Sequence, residues 1–464
     1  VTTTSATPDA PTVAEVHARL DRMPQWGISP WAKAVFAAAY FFAFYDIIAL
    51  GAVLPDLAGS LHLSGAEAAL PLTTSLAGYV VGAYVFGSLA DRIGRRRALR
   101  LALVLLAAAS AASAFSWDLS SLSLFRLLAG AGIGAQITLS ATLITELSPS
   151  AHRARNIQRN VVWAGLGDAA APFIALGLLH VDAIGWRLVL AVGALAVIPA
   201  ALIGRVPESP RWLAVHGRAA EAGRVLAEME RRLRGQGREL APVPARDAEH
   251  TAAVPDQAQA GGVALTALLR APYRKRIIVV TGYWILLYLT VYGFLGEETV
   301  LLDRMSLHQP NGLFYTALGD IAFPLGAALP LLLLARVPRT YLLAASSLVF
   351  ALGLAVMATS SGATGLVTGA FLVALVILVN SGVGYVYTSE VFPTRVRATA
   401  MGLADGVGHL GGLAAPYVVL AALGAWGPRG AFWLLAALMV ACAVLIASLG
   451  LRTSGRGLAE VGEV

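Results

Sequence analysis

Long apolar stretches separated by short polar breaks fill this chain from residue 33 to residue 452, and no other feature constrains its fold so tightly. Crossing the ~30 Å hydrocarbon core of a bilayer as a helix takes roughly 20 predominantly apolar residues. Twelve stretches qualify, at 33–58, 69–90, 99–117, 121–147, 159–180, 187–204, 276–302, 312–334, 339–360, 363–389, 397–423 and 428–452. In lipid the backbone polar groups must be satisfied within the spanning structure, which leaves helices or closed barrels. Continuous apolar runs without strict alternation exclude the barrel. The predicted fold class is all-α, a polytopic membrane protein of twelve transmembrane helices.

Composition points the same way. With 57% hydrophobic and 13% charged residues, a chain of 464 residues carries more apolar surface than a soluble fold of this size buries. Its net charge of +7 does not mark a nucleic-acid binder, because the arginines sit in short clusters between apolar runs. The single cysteine, Cys442, lies inside an apolar run, which excludes an intramolecular disulfide and a cysteine-based metal site. Residues 1–32 are polar and rich in Pro, Ala and Thr, and read as a cytoplasmic tail rather than a signal peptide.

Orientation follows from the basic residues. Arg92, Arg95, Arg96, Arg97 and Arg100 follow the second span, Arg153, Arg155 and Arg159 the fourth, and Arg395 and Arg397 the tenth, whereas the opposite loops hold little beyond Arg187, Arg304 and Arg429. The positive-inside bias therefore turns the even-numbered loops and both termini to the cytoplasm. The predicted organisation is a tail at 1–32, a six-helix bundle at 33–204, a polar linker at 205–275, a second six-helix bundle at 276–452 and a tail at 453–464. Within the linker, Ala222, Val225, Leu226, Met229 and Leu233 recur at helical spacing, which fits either an amphipathic helix lying under the bundle or a solvated connector. Residues 240–262 are expected to be disordered.

Four short motifs lie at the span ends. Gly87 to Arg96 places Asp91 among arginines and two glycines at the close of the second span, a cluster able to lock a gate through charge pairs and helix dipoles. The others are Arg126-Leu-Leu-Ala-Gly130-Ala-Gly132 in the fourth span, Pro207-Glu208-Ser209-Pro210-Arg211-Trp212-Leu213 after the sixth, and Glu390-Val-Phe-Pro393-Thr394-Arg395-Val-Arg397 after the tenth. In this order they resemble the major facilitator superfamily, and within it the branch of sugar porters, metabolite:proton symporters and organic-ion transporters. The resemblance covers nearly all of residues 30–450 and implies two pseudo-symmetric six-helix bundles. It also implies a cytoplasmic gate of Asp91, Arg95, Glu146, Arg153, Glu390 and Arg397. The second-half counterpart of the signature loop, Ala335 to Arg339, lacks its acid and glycines, so the gate is expected to be asymmetric. The segment Ala18 to Pro24 resembles the start of bacterial metabolite:proton symporters. The seventh span, with Tyr283, Trp284, Tyr288 and Tyr292, lacks the Gln-rich pattern of true sugar porters, which implies a flatter, aromatic-tolerant site.

Ionisable residues inside the membrane are functional candidates, because burying one unpaired costs several kcal/mol, roughly. Asp46, Arg126, Asp168, Asp405 and His409 stand out. Asp46 falls ~20 Å from the cytoplasmic edge and Arg126 ~8 Å from the external edge, so their depths agree. The two positions resemble the proton-coupling pair of sugar:proton symporters; a static salt bridge is the alternative. Asp168 in the fifth span and His409 in the eleventh lie near mid-depth in counterpart spans, and with Tyr292 and Asn380 they are expected to line a central substrate site. The segment His409 to Pro416 resembles the eleventh-span pattern of organic-ion transporters, with His where anion carriers tend to have Arg. A histidine binds an anion when protonated or donates one neutral hydrogen bond, and a packed core histidine is the bland alternative. Asp320 and Asp405 fit hydrogen-bonded helix-packing groups equally well. Glycine strings at Gly130–Gly134 and Gly402–Gly408 lie inside apolar spans with no phosphate-binding Lys, so they read as helix packing rather than nucleotide loops.

The expected activity is secondary transport, not catalysis: proton-coupled symport of a small organic metabolite, an organic acid ahead of a sugar, by alternating access. Organic-cation or drug:proton antiport and a non-transporting receptor or scaffold are the alternatives. No cofactor is expected beyond the proton as coupling ion. The expected setting is a monomer in the plasma membrane, with lipid, substrate and proton as partners and no nucleic acid.

Overall fold

In the computed structural model, residues 11–181, 184–243, 268–305, 312–334, 336–392 and 394–451 are described, and their regular structure is entirely helical. The first six spans are Pro30–Ala52, Glu67–Ile93, Arg95–Ala114, Leu119–Glu146, Ser150–Leu178 and Gly185–Arg205. Four more follow as Arg274–Asp303, Gly312–Leu333, Arg339–Thr359 and Ala363–Val391. The last apolar helical segment, Thr399–Leu449, runs for 51 residues. At 1.5 Å per residue it would be ~76 Å long, more than twice the hydrocarbon core. Its helix breaks at Gly427, whose φ of 71° lies in the left-handed region that only glycine enters freely. The break divides the segment into an eleventh and a twelfth span.

Local chemistry sets the boundaries. The first span begins at Pro30, three residues before the hydropathy edge, because Ser29 accepts a hydrogen bond from the Ala32 amide and proline fits the first helical turn. Asp118 and Ser121 form a reciprocal cap at the start of the fourth span.

The two halves repeat one another. Arg95 reaches Glu146, 51 positions on, and donates to the carbonyl of Ala90; Arg339 reaches Glu390, again 51 positions on, and donates to the carbonyl of Leu334. Each residue of the second set stands 244 positions after its counterpart (90 to 334, 95 to 339, 146 to 390). The same offset relates Gly82, pressed against the Ala131 carbonyl, to Gly326, pressed against the Leu375 carbonyl. A Cβ at either glycine would meet that oxygen, so close helix approach is preserved in both halves. The asymmetry expected from residues 335–339 spares the ion pair: the second half keeps its Arg–Glu pair, while the sequence has Ala335 at the position of Asp91 and Leu331 and Pro338 at those of Gly87 and Gly94.

The segment ahead of the first span is more ordered than a tail. Thr12 caps a helix over Val13–Asp21, and Val16 and Leu20 pack with Leu226, Met229 and Leu233 of a linker helix at Ala219–Gly235. Glu230 ties the two together, accepting from Arg19 at 2.9 Å and from Arg22 at 2.7 Å. Of the predicted linker pattern, Ala222, Leu226, Met229 and Leu233 are buried, and Val225 is half-buried. The Pro207–Leu213 motif joins this layer to the spans: Glu208 accepts from the Arg96 amide at the start of the third span, and Trp212 Nε1 donates to the Asp91 carbonyl. The predicted disordered stretch lies outside the described residues from 244 onward.

Candidate functional site

Arg126 enters from the fourth span and donates Nη2 to Asp46 Oδ2 of the first at 2.5 Å, with both side chains fully buried. Ser110 of the third span donates to the other carboxylate oxygen at 2.7 Å. Gly193 of the sixth span makes room for this arrangement, since a Cβ there would stand 2.5 Å from Asp46 Oδ1. The guanidinium is incompletely satisfied: Nε and Nη1 are buried without a hydrogen-bond partner. A buried ion pair with spare donors is poor structural glue, because desolvation offsets most of its attraction. Ser110 and Gly193 were not foreseen, since one serine or glycine in an apolar helix carries no signal.

His409 occupies the middle of the molecule, among aromatic rings from both halves. Its ring lies 5.0 Å from Tyr79 of the second span and 4.1 Å from Tyr288 and 6.1 Å from Tyr292 of the seventh. Nδ1 stands 2.8 Å from the Asp405 carbonyl oxygen, which only accepts, so Nδ1 carries a proton; Nε2 is buried without a partner. Asp405 Oδ1 accepts from the hydroxyls of Tyr288 and Tyr385, both at 2.7 Å, and its Oδ2 lies 3.7 Å from His409 Nδ1. Tyr385, 37% exposed, and Asp405 are the solvent-reaching edge of the cluster. Asp405 thus faces the centre instead of serving helix packing alone.

The other predicted lining residues divide. Tyr292 packs beside His409, and Asp168 lies close enough to Tyr292 and to Asp320 to act on both electrostatically. Asp320, nearly fully buried in the eighth span, has no hydrogen-bond partner for either oxygen. It does not behave as a hydrogen-bonded packing group. Asn380 is buried in the tenth span, where its amide oxygen accepts from Ser347 and its nitrogen donates to the Val376 carbonyl. Depth and polarity do not report which way a helix turns its side chain.

The gate residues gather at the face carrying the linker helix. Arg95 joins Asp91 at 2.9 Å and Glu146 at 3.2 Å, and Glu390 meets Arg339 at 3.1 Å. Arg153 turns instead to Asp21 of the N-terminal helix, 3.8 Å away. The Arg397 side chain lies outside the described residues. Among the described residues the ion pairs lie within one half, within the linker, or between the N-terminal helix and the first half or linker. Elsewhere the halves approach closely: a Cβ on Gly51 would sit 2.5 Å from the Leu295 carbonyl, and Gly412 lies against the side chain of Leu76. An apolar cavity of about 60 Å³ between the halves is bounded by Tyr79, Tyr292, Leu72 and Gly412.

Residues 34–464 match the family described as Sugar (and other) transporter. The chain is 28% identical over 438 residues to the putative metabolite transport protein YyaJ of Bacillus subtilis, covering 94% of this chain and 96% of that one. It is 27% identical over 440 residues to the arabinose-proton symporter of the same organism, covering 90% of each. Its fold resembles the inward open conformation of the xylose transporter XylE from E. coli, with a TM-score of 0.72 at 18% identity, over 92% of this chain and 98% of that one. The chain belongs to the sugar (and other) transporter family of the major facilitator superfamily, as an integral membrane metabolite transporter and not an enzyme.

Proposed function

We propose that this chain is a proton-coupled symporter of a small organic metabolite, working by alternating access between two rocking halves. The observation that carries the reading is the Arg126–Asp46 pair, fully buried with spare guanidinium donors. Protonating Asp46 removes the counter-charge that holds Arg126, so proton binding and rearrangement of the fourth span become one event. The pair lies wholly within the first half, where substrate need not touch it. Resemblance to the arabinose-proton symporter supports the same mode. The Arg-rich face is assigned to the cytoplasm, and the opposite side to the exterior.

The substrate site is assigned to the His409 cluster. Its charge balance changes the order expected from sequence: Asp405 stands beside His409, so an organic acid would meet a carboxylate there. A neutral metabolite with a flat ring face and hydroxyls fits better. Tyrosine faces stack with the ring, and Asp405, Tyr385 and His409 Nε2 exchange hydrogen bonds with hydroxyls. Asp320, buried without a partner, supports a second reading, exchange of an organic cation for protons. External pH in a weakly buffered suspension of proteoliposomes separates the two. Substrate entry that raises external pH supports symport, and entry that lowers it supports antiport. Ligand binding without flux would instead support a receptor.

A further inference from the structure

A second cavity lies far from the His409 cluster, at the Arg-rich face. It measures about 300 Å³, opens to the surface, and is lined by Pro24 and Trp26 ahead of the first span, by His152, Arg155 and Arg159 at the start of the fifth, and by Arg238 after the linker helix, the three arginines being exposed. Three guanidinium groups border this space, and no carboxylate does. The neighbouring acids are engaged elsewhere: Asp21 with Arg153 and the Ser150 amide, Glu230 with Arg19 and Arg22, and Glu228 with Arg231 and Arg232. Lys33 adds positive charge, within electrostatic range of Arg159 and with Nζ 5.9 Å from the Trp26 ring.

The walls are held in place. His152 Nε2 stands 2.8 Å from the Pro24 carbonyl oxygen and must donate to it, which leaves Nδ1 to accept from Arg155 Nη2 at 2.7 Å. The neutral tautomer so fixed orients Arg155 without cancelling its charge. Gln25 donates to Gln236 at 2.9 Å, fastening the segment that carries Arg238. The cavity also sits at the positive end of a 26-residue helix, Arg153–Leu178. A water molecule's share of liquid volume is ~30 Å³, so the space holds a polyatomic anion with a substituent.

We propose that this cavity binds a phosphate-bearing anion, its oxygens taking hydrogen bonds from Arg155, Arg159 and Arg238. Guanidinium forks match phosphate geometry, and three unneutralised arginines around one space have no other partner of that shape among the described residues. Two sources share the chemistry. Trp26 stands four residues before the first span, at the depth of lipid headgroups, where an anionic phospholipid presents its phosphate. A soluble phosphorylated metabolite could enter from the aqueous side. Either would bridge the pre-span segment, the fifth span and the linker.

The test is thermal stability of the delipidated full chain in neutral detergent. It is titrated with inorganic phosphate against chloride at equal ionic strength, and with short-chain phosphatidylglycerol against phosphatidylcholine. Saturable stabilisation is expected, its midpoint rising about tenfold in Arg238→Gln and further in Arg155→Gln combined with Arg159→Gln. Arg234→Gln, an exposed arginine on the linker helix, leaves the midpoint unchanged. Stabilisation by phosphatidylglycerol alone identifies the lipid source, and stabilisation by inorganic phosphate as well identifies a soluble one. Should the double variant fail to fold, Arg238→Gln decides alone. Absence of saturable stabilisation by either probe, or an unchanged midpoint in Arg238→Gln, overturns the proposal.

Discussion

Arg126 holds Asp46 through one guanidinium nitrogen at 2.5 Å while two others, Nε and Nη1, are buried with nothing to bond. The pair thus adds little net stability, yet neither charge can lose the other without penalty, and its spare donors leave it able to be remade. Breaking it from one side leaves a bare charge in low dielectric. Arg126→Gln is expected to destabilise the purified protein by about 3–5 kcal/mol, and adding Asp46→Asn to restore most of that loss. Thermal unfolding in detergent of the two single variants and the double variant checks the cycle.

Gly193 bears on the same carboxylate from the sixth span. Gly193→Ala would drive a methyl into Asp46 Oδ1 and against Ser110 Cβ, 3.0 Å away. The expected outcome is a loss of about 1–3 kcal/mol and a shifted pH midpoint of uptake. A surface glycine with open space, such as Gly204→Ala, is the comparison and moves neither.

Asp320 makes the opposite prediction. Its carboxyl is buried without a hydrogen-bond partner, so replacing it with the isosteric amide removes a desolvation penalty. Asp320→Asn is expected to raise stability by roughly 1 kcal/mol or more while Asp46→Asn does not. A lower melting temperature for Asp320→Asn would mean that the carboxyl has a partner after all.

Glu230 gives the cytoplasmic layer a pH dependence. Burial opposes its ionisation, but hydrogen bonds and charge from Arg19 and Arg22 outweigh burial and hold its carboxyl below the usual range. A depressed folded value means that the Glu230 contribution is fully present above the unfolded pKa of ~4.3, and is lost as pH falls through the folded value. Protection of the Val13–Asp21 amides from hydrogen exchange, taken relative to an unstructured chain at the same pH, is expected to be high at neutral pH and to fall as Glu230 protonates in acid. Glu230→Gln should show low protection at both.

Much of this was legible before the fold. Apolar length alone marks the spans, because lipid permits few alternatives, and the Asp46 and Arg126 positions stood out as charges at matching depth. What stayed hidden depends on rotation and small residues. Asn380 and Tyr79 lie at similar polarity in apolar helices, yet Asn380 turns inward to Ser347 while Tyr79 meets His409. The helix at Val13–Asp21 buries only Val16 and Leu20, too few apolar residues for a periodic signal, and exists by docking on its neighbour. The Arg339–Glu390 repeat of Arg95–Glu146 was obscured by the missing acid at Ala335.

The central claim is that Asp46 carries the coupling proton. It is tested most directly by uptake of labelled hydroxylated ring metabolites, sugars, organic acids and organic cations into proteoliposomes, with and without an inward proton gradient, for the parent chain and Asp46→Asn. The account predicts accumulation of at least one compound that requires the gradient in the parent and no longer responds to it in Asp46→Asn, while substrate exchange persists. Uptake that ignores both the gradient and the substitution would contradict it.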